Sequence, residues 1–137
     1  MSSRFTIFGS LKISTSIKTL KKILVIEDDP DIADIMEIAL GDKYHVEVKT
    51  DGHGVSDQIE SFGPDLIMLD NYIGQRQAKE IIAEIHLVDD YRSIPYVLFS
   101  GHENITQIAK HINATAYLAK PFALDELYKC VDGILAA

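Results

Sequence analysis

Short apolar runs alternate with helical apolar stripes along this chain, and that alternation constrains the fold more than any other feature. Ile23–Ile26, Leu66–Leu69 and Tyr96–Phe99 are each four residues long and nearly all apolar. Runs this short, with no polar alternation, suit strands buried on both faces, as in a parallel sheet. Weaker strand patterns fall at Val46–Val48 and Ala116–Leu118. Between these runs, apolar residues recur at helical spacing. Ile32, Ile35, Met36, Ala39 and Leu40 form the first stripe. Asp29 before Pro30 reads as an N-cap followed by proline at the first helical position. The second stripe is Val55, Ile59 and Phe62, and the third is Ala78, Ile81, Ile82 and Ile85. Ile105, Ile108, Ala109 and Ile112 form the fourth, and Leu124, Leu127, Val131, Ile134 and Leu135 the fifth. All five are read as core faces. Five βα units in succession predict an α/β chain, a parallel sheet with helices on both sides.

A length of 137 residues suits one domain with its own core. The apolar content of 47% argues against a disordered acidic tail. The net charge of −8 argues against non-specific binding to nucleic acid, which needs a basic footprint. The charge is uneven. Arg4, Lys12, Lys18, Lys21 and Lys22 lie in a stretch with no acid, whereas residues 23–137 carry a net −13. Residues 1–21 stand outside the βα pattern and read as a flexible basic leader, with residues 22–137 as the domain. A basic arm that docks on a partner or an anionic surface is the alternative. The leader has no secretory h-region, because Gly9, Ser10 and Lys12 interrupt its apolar residues. No apolar run approaches the ~18 residues of a membrane span. The lone Cys130 has no CxxC partner or adjacent histidine. It reads as a small core side chain of a cytoplasmic protein. His45, His53, His86, His102 and His111 show no metal-ligand spacing and read as surface residues.

Open parallel sheets bind ligands at the carboxyl ends of their strands. Here the first strand runs into Glu27-Asp28-Asp29, the third into Asp70, the fourth into Ser100-Gly101 and the fifth into Lys120-Pro121. Side chains far apart in sequence would meet at that edge. Clustered carboxylates repel one another unless a cation joins them. A hard divalent cation is the natural choice, and Mg²⁺ typically takes one or two carboxylates plus water and phosphate oxygens. One carboxylate could then attack phosphorus and form an acyl phosphate. Lys120 and the cation would offset charge on the transferred oxygens, and Ser100 could donate a hydrogen bond to them. Asp29 and Asp31 read instead as a helix cap and a first-turn charge.

Four stretches carry a family resemblance. They are Lys22-Ile-Leu-Val-Ile-Glu-Asp-Asp-Pro30, Pro64-Asp-Leu-Ile-Met-Leu-Asp70, Pro95-Tyr-Val-Leu-Phe-Ser-Gly101 and Ala116-Tyr-Leu-Ala-Lys-Pro-Phe122. Residues 22–137 resemble the CheY-like receiver domain of two-component response regulators. The resemblance implies a flavodoxin-like, doubly wound, five-stranded parallel sheet of order 2-1-3-4-5. It implies a phosphoacceptor signalling domain rather than an enzyme acting on other substrates. Asp70 matches the phosphoacceptor. Asp28 matches the direct Mg²⁺ ligand, Glu27 its partner, and the backbone carbonyl of Tyr72 the third protein ligand. Ser100 and Tyr117 match the switch hydroxyl and the switch aromatic, and Lys120 the lysine that pairs with the phosphoryl group. The Lys120-Pro121 bond is expected to be cis. The implied partners are a sensor histidine kinase or a histidine phosphotransfer protein, and a downstream protein target. Direct nucleic-acid binding and membrane association are not expected.

The stretch Asp70-Asn-Tyr-Ile-Gly-Gln-Arg-Gln-Ala78 departs from the family, keeping Gly74 but lacking the usual Pro-Gly pair and later Asp-Gly turn. Gly101 replaces the common alanine after the switch hydroxyl. Tyr72 and His102 occupy positions that tune phosphoryl lifetime in this family. Two other readings are weaker. A degenerate receiver acting as a constitutive binding module conflicts with the intact acid, hydroxyl and ammonium set. A haloacid-dehalogenase-type phosphatase would need a second aspartate where Tyr72 stands. No GxGxxG follows the first strand, which disfavours a dinucleotide enzyme.

Overall fold

The computed structural model describes residues 19–136. The leader proposed for residues 1–21 therefore lies almost wholly outside the described residues. In chain order the elements are β1 (Lys22–Ile26), α1 (Pro30–Gly41), β2 (His45–Lys49), α2 (Val55–Phe62) and β3 (Leu66–Leu69). Two short strands follow, β4 (Tyr72–Ile73) and β5 (Arg76–Gln77), then α3 (Ala78–Ile85) and a 3₁₀ turn at Asp89–Tyr91. β6 (Tyr96–Ser100), α4 (Ile105–His111), β7 (Ala116–Ala119) and α5 (Leu124–Leu135) complete the order.

The five main strands form one parallel sheet of order β2-β1-β3-β6-β7. This is the expected 2-1-3-4-5 arrangement once β4 and β5 are set aside. Alternate residues of each central strand face opposite sides of the sheet, so one apolar run supplies two cores. Leu24, Ile26, Ile67, Leu69 and Leu98 join the core under α2, α3 and α4. Ile23, Val25, Met68, Val97 and Phe99 join the core under α1 and α5. That double burial is why β1, β3 and β6 lack polar alternation, while the edge strand β2 is only half-buried.

α1 starts as its sequence dictates. Asp29 Oδ1 accepts from the Asp31 and Ile32 amides at 2.9 and 3.4 Å, and Pro30 opens the helix. Two stripe assignments need correction. Ile35 is 56% exposed and Leu124 49%, so neither is a core residue. On these two helices full cover falls to Ala33, Met36, Ala39, Leu40, Leu127 and Val131. Cys130 is half-buried against the same core, and burial pushes its thiol up, away from the reactive thiolate. His86 is not a plain surface residue. It is half-buried edge-to-face against Tyr96, and burial holds its imidazole below the usual value.

The β4–β5 hairpin was not apparent from the sequence. Tyr72 pairs with Gln77 and Ile73 with Arg76 across a two-residue loop. That loop opens on Gly74 at φ 63°, the positive φ that a two-residue hairpin loop demands at its first position. Ile73 anchors the hairpin in the core, and the Ala78 amide closes it onto the Asn71 carbonyl at 2.8 Å.

Candidate functional site

The carboxyl ends of β1, β3, β6 and β7 deliver Glu27, Asp70, Ser100 and Lys120 to one edge of the sheet. Strand register does the positioning. Ile26 pairs with Leu69, and Ser100 pairs with Ala119, so the next residue of each strand falls at the same level. Backbone bonds extend the alignment past the strands: the Asp70 amide donates to the Ile26 carbonyl and the Lys120 amide to the Ser100 carbonyl at 2.9 Å.

Lys120 is the centre of the site. Its Nζ donates to Glu27 Oε1 at 2.8 Å and to Asp70 Oδ2 at 2.9 Å. The ammonium also stands 5.0 Å from the centroid of the buried Phe99 ring. A cation–π contact in this partly desolvated setting adds to its hold. Repulsion between these acids is thus relieved even before a divalent cation is considered. The chain's own ammonium already bridges two of them.

The three acids differ sharply. Glu27 is only 1% exposed, and its second oxygen accepts from the Asp29 amide at 3.1 Å. Burial pushes its carboxyl above the ordinary value, with the Lys120 hydrogen bond opposing. Asp70 is partly exposed, and its Oδ1 accepts from the Asn71 amide at 2.6 Å. Asp28 is exposed, and the Gly74 amide donates to its Oδ2 at 2.8 Å. The unforeseen hairpin therefore reaches across and holds the outermost acid. For Lys120, burial pulls the ammonium down, but the hydrogen bonds to Glu27 and Asp70 outweigh it and the group titrates above its usual value. A lysine pinned this way keeps its charge throughout the neutral range.

Ser100 is buried, and its Oγ accepts from the His102 amide at 3.2 Å, which leaves its O–H to donate. Tyr117 is 44% exposed, and its hydroxyl accepts from Thr106 Oγ1 at 3.1 Å. Its ring is thus tied to α4 and turned away from the acids. Tyr72 is exposed and its hydroxyl accepts from Gln77 Nε2 at 2.9 Å. The Lys120–Pro121 bond is cis, as the resemblance implied. Asn71, the Gly74 amide and Phe99 were missed as contributors. Only Gly74 left a signal, as the glycine retained in the stretch after Asp70.

Among the described residues this edge presents the carboxylate oxygens of Asp28 and Asp70 as donors. An all-oxygen set with two carboxylates suits a hard cation such as Mg²⁺ and not a thiophilic metal. Among the described residues no three Asp, Glu, His or Cys side chains form a cage of their own. Magnesium does not require one, since it keeps several waters.

The raised carboxyl of Glu27 has a testable consequence. The folded state holds this proton to higher pH than the unfolded state. Wild-type stability therefore falls as pH rises from the unfolded value near 4.5 through the higher folded value. Glu27→Gln removes that loss. Its stability relative to wild type should increase between pH 4.5 and pH 7 in urea unfolding. A difference that stays flat or shrinks would show that Glu27 ionises in the fold as freely as in the open chain.

The response regulator receiver domain profile matches residues 23–132. The chain belongs to this receiver family. Among curated relatives, the transcriptional regulatory protein TrcR of Mycobacterium tuberculosis is 26% identical over 117 residues, covering 83% of this chain and 45% of that protein. This receiver thus spans about half the length of the curated relatives it matches. Among solved structures, chemotaxis protein CheY4 of Vibrio cholerae superposes with a TM-score of 0.78 at 23% identity, covering 85% of this chain and all of that one. The receiver domain of sensor histidine kinase PA1611 of Pseudomonas aeruginosa superposes with a TM-score of 0.77 at 22% identity, covering 87% of this chain and 100% of that chain. That domain carries a magnesium ion coordinated in its active site cleft. The fold and family make this a phosphoacceptor signalling domain. Among the described residues no helix is long and apolar enough to cross a membrane.

Proposed function

We propose that this receiver accepts a phosphoryl group on Asp70 from a phosphohistidine donor, a sensor histidine kinase or a histidine phosphotransfer protein, with Mg²⁺ bound. The observation that carries the reading is the Asp70 carboxylate, partly open to solvent, fixed at 2.9 Å from a lysine ammonium at the strand ends. Asp28, Asp70 and the Tyr72 carbonyl would hold the ion, with Glu27 supporting the site from beneath. Bound there, Mg²⁺ supplies positive charge that offsets the phosphoryl oxygens.

The chain's own groups account for the rest. An Asp70 oxygen forms the new bond to phosphorus, the phosphorus–nitrogen bond of the donor breaks, and the electron pair leaves with the imidazole. Lys120 exchanges its contact with Asp70 Oδ2 for a phosphoryl oxygen while keeping Glu27. Ser100, whose O–H is available, donates to a second oxygen. Moving the Ser100 loop opens room for Tyr117 to leave Thr106 and turn inward. The exposed faces of α4, β7 and α5 then change, which alters the protein partner bound there. Couplings of about 1–3 kcal/mol suffice for such a switch. The domain works in the cytoplasm, and its net charge of −12 over residues 22–137 suits protein rather than nucleic-acid partners.

The test is labelling with acetyl phosphate. With Mg²⁺, intact-mass analysis should show one phosphoryl group, mapped to Asp70. With a chelator the adduct should fall to background. Equal labelling in both conditions would refute the metal-assisted reading.

A further inference from the structure

An apolar groove runs along α1 beside α5. Ile38 is 75% exposed and Ile35 56%, and Leu124 faces them from α5. Three shallow hollows lie along α1, α5 and the segments that flank them. The first is bounded by Thr19, Leu20, Lys43 and Asp132. The second lies between Ile35, Ile38, Leu124 and Tyr128. The third, sharing Ile35, ends at Pro121 and Phe122. Acids crowd the exposed faces beside it: Asp31, Asp34, Glu37, Asp42, Asp125 and Glu126 are all exposed, and α1 carries no basic residue, while Lys21 and Lys43 line the first hollow and Lys120 the third. Large exposed aliphatics grouped on one face signal a covered surface.

We propose that residues 1–18 of this same chain cover the groove. The described chain begins at Thr19, which itself lines the groove's first hollow. The preceding residues combine the two matching chemistries. Phe5, Ile7, Phe8, Leu11, Ile13 and Ile17 supply apolar contacts, and Arg4, Lys12 and Lys18 supply positive charge with no acid among them. Length is ample. The 12-residue α1 is about 18 Å long, whereas 18 residues reach up to about 60 Å when extended. A covalently joined segment docks at high effective concentration, so modest contacts suffice.

The test uses the full chain. With Cys130→Ser and a spin label on Ser3→Cys, methyl signals of Ile35, Ile38 and Leu124 should broaden. Those of Ile81 and Ile112, in the opposite core, should not. Ile35→Lys/Ile38→Lys should restore the Leu124 signal and raise tryptic cleavage after Lys12 at least about tenfold, since cleavage tracks the undocked population. Lys12→Glu/Lys18→Glu, which leaves the groove untouched, should also restore the three signals. Groove methyls that stay sharp in the parent protein overturn the proposal, as does cleavage unchanged by the groove variant. Broadening seen only between labelled and unlabelled molecules in a mixture assigns the groove to a second copy and also overturns it.

Discussion

Asp70→Ala should carry no phosphoryl group after incubation with acetyl phosphate and Mg²⁺, under conditions that label the wild-type protein once. The loss should be complete, because no neighbouring carboxylate can substitute. Glu27 is the nearest in charge environment, sharing Lys120, but at 1% exposure no donor can reach it. Asp28 is reachable, but its Oδ2 is engaged by the Gly74 amide, and Lys120 bonds Glu27 and Asp70 instead. An acyl phosphate forming there would lack the ammonium that offsets its charge. The substitution should leave the fold nearly intact, since Lys120 retains its 2.8 Å bond to buried Glu27. Circular dichroism and urea unfolding would establish that the variant is folded. Undiminished labelling of a folded Asp70→Ala would remove Asp70 as the acceptor. Asp70→Asn, which keeps the shape and the Asn71 amide contact, should be equally unlabelled.

The sheet and the strand-end residues were legible in the sequence because both follow from short-range rules. Four-residue apolar runs identify doubly buried strands, and a parallel sheet sends every strand end to the same edge. The Asp29-Pro30 start of α1 was legible for a similar reason, as capping is a local event. Other features depended on contacts distant in sequence. Ile35 and Leu124 keep helical spacing with true core residues, and only the width of the sheet beneath them decides that they stay exposed. The β4 and β5 strands have two residues each, too few for any period to register. Glu27 and Asp28 are adjacent acids, yet one is buried and the other solvated, because successive residues leaving β1 point to opposite sides. Most telling is the bridge from Lys120 to Glu27 and Asp70, which spans 93 and 50 positions. The meeting of Lys120 with the acids was foreseeable, whereas its direct bonds to both Glu27 and Asp70 depend on side-chain reach that no local pattern encodes.

Lys120→Ala should therefore show two separable effects. The first is on stability. Glu27 keeps its buried position, but its ammonium partner is gone, and Asp70 loses the same counter-charge. Breaking a buried pair on one side leaves an uncompensated charge, so the unfolding free energy in urea should drop by about 3 kcal/mol at neutral pH. The low exposure of the pair, 18% for Lys120 and 1% for Glu27, means that solvent screens little of this. Adding Glu27→Gln should recover much of the loss, because the neutral amide no longer needs a cation. The resulting cycle should give a coupling of about 2 kcal/mol between the two residues. An additive double mutant would mean that the 2.8 Å contact contributes nothing beyond its separate parts. The second effect is on signalling. Lys120→Ala keeps Asp70 and the donors proposed at Asp28 and Tyr72, so it should still bind Mg²⁺. What it lacks, on the proposed mechanism, is the group that would pass from Asp70 to a phosphoryl oxygen and pull β7 with it. Since Tyr117 lies on β7, three residues before Lys120, its ring resonances should respond to beryllofluoride in the wild type but not in Lys120→Ala. A wild-type response in the variant would place the switch in Ser100 alone and leave Lys120 as a stabilising residue only.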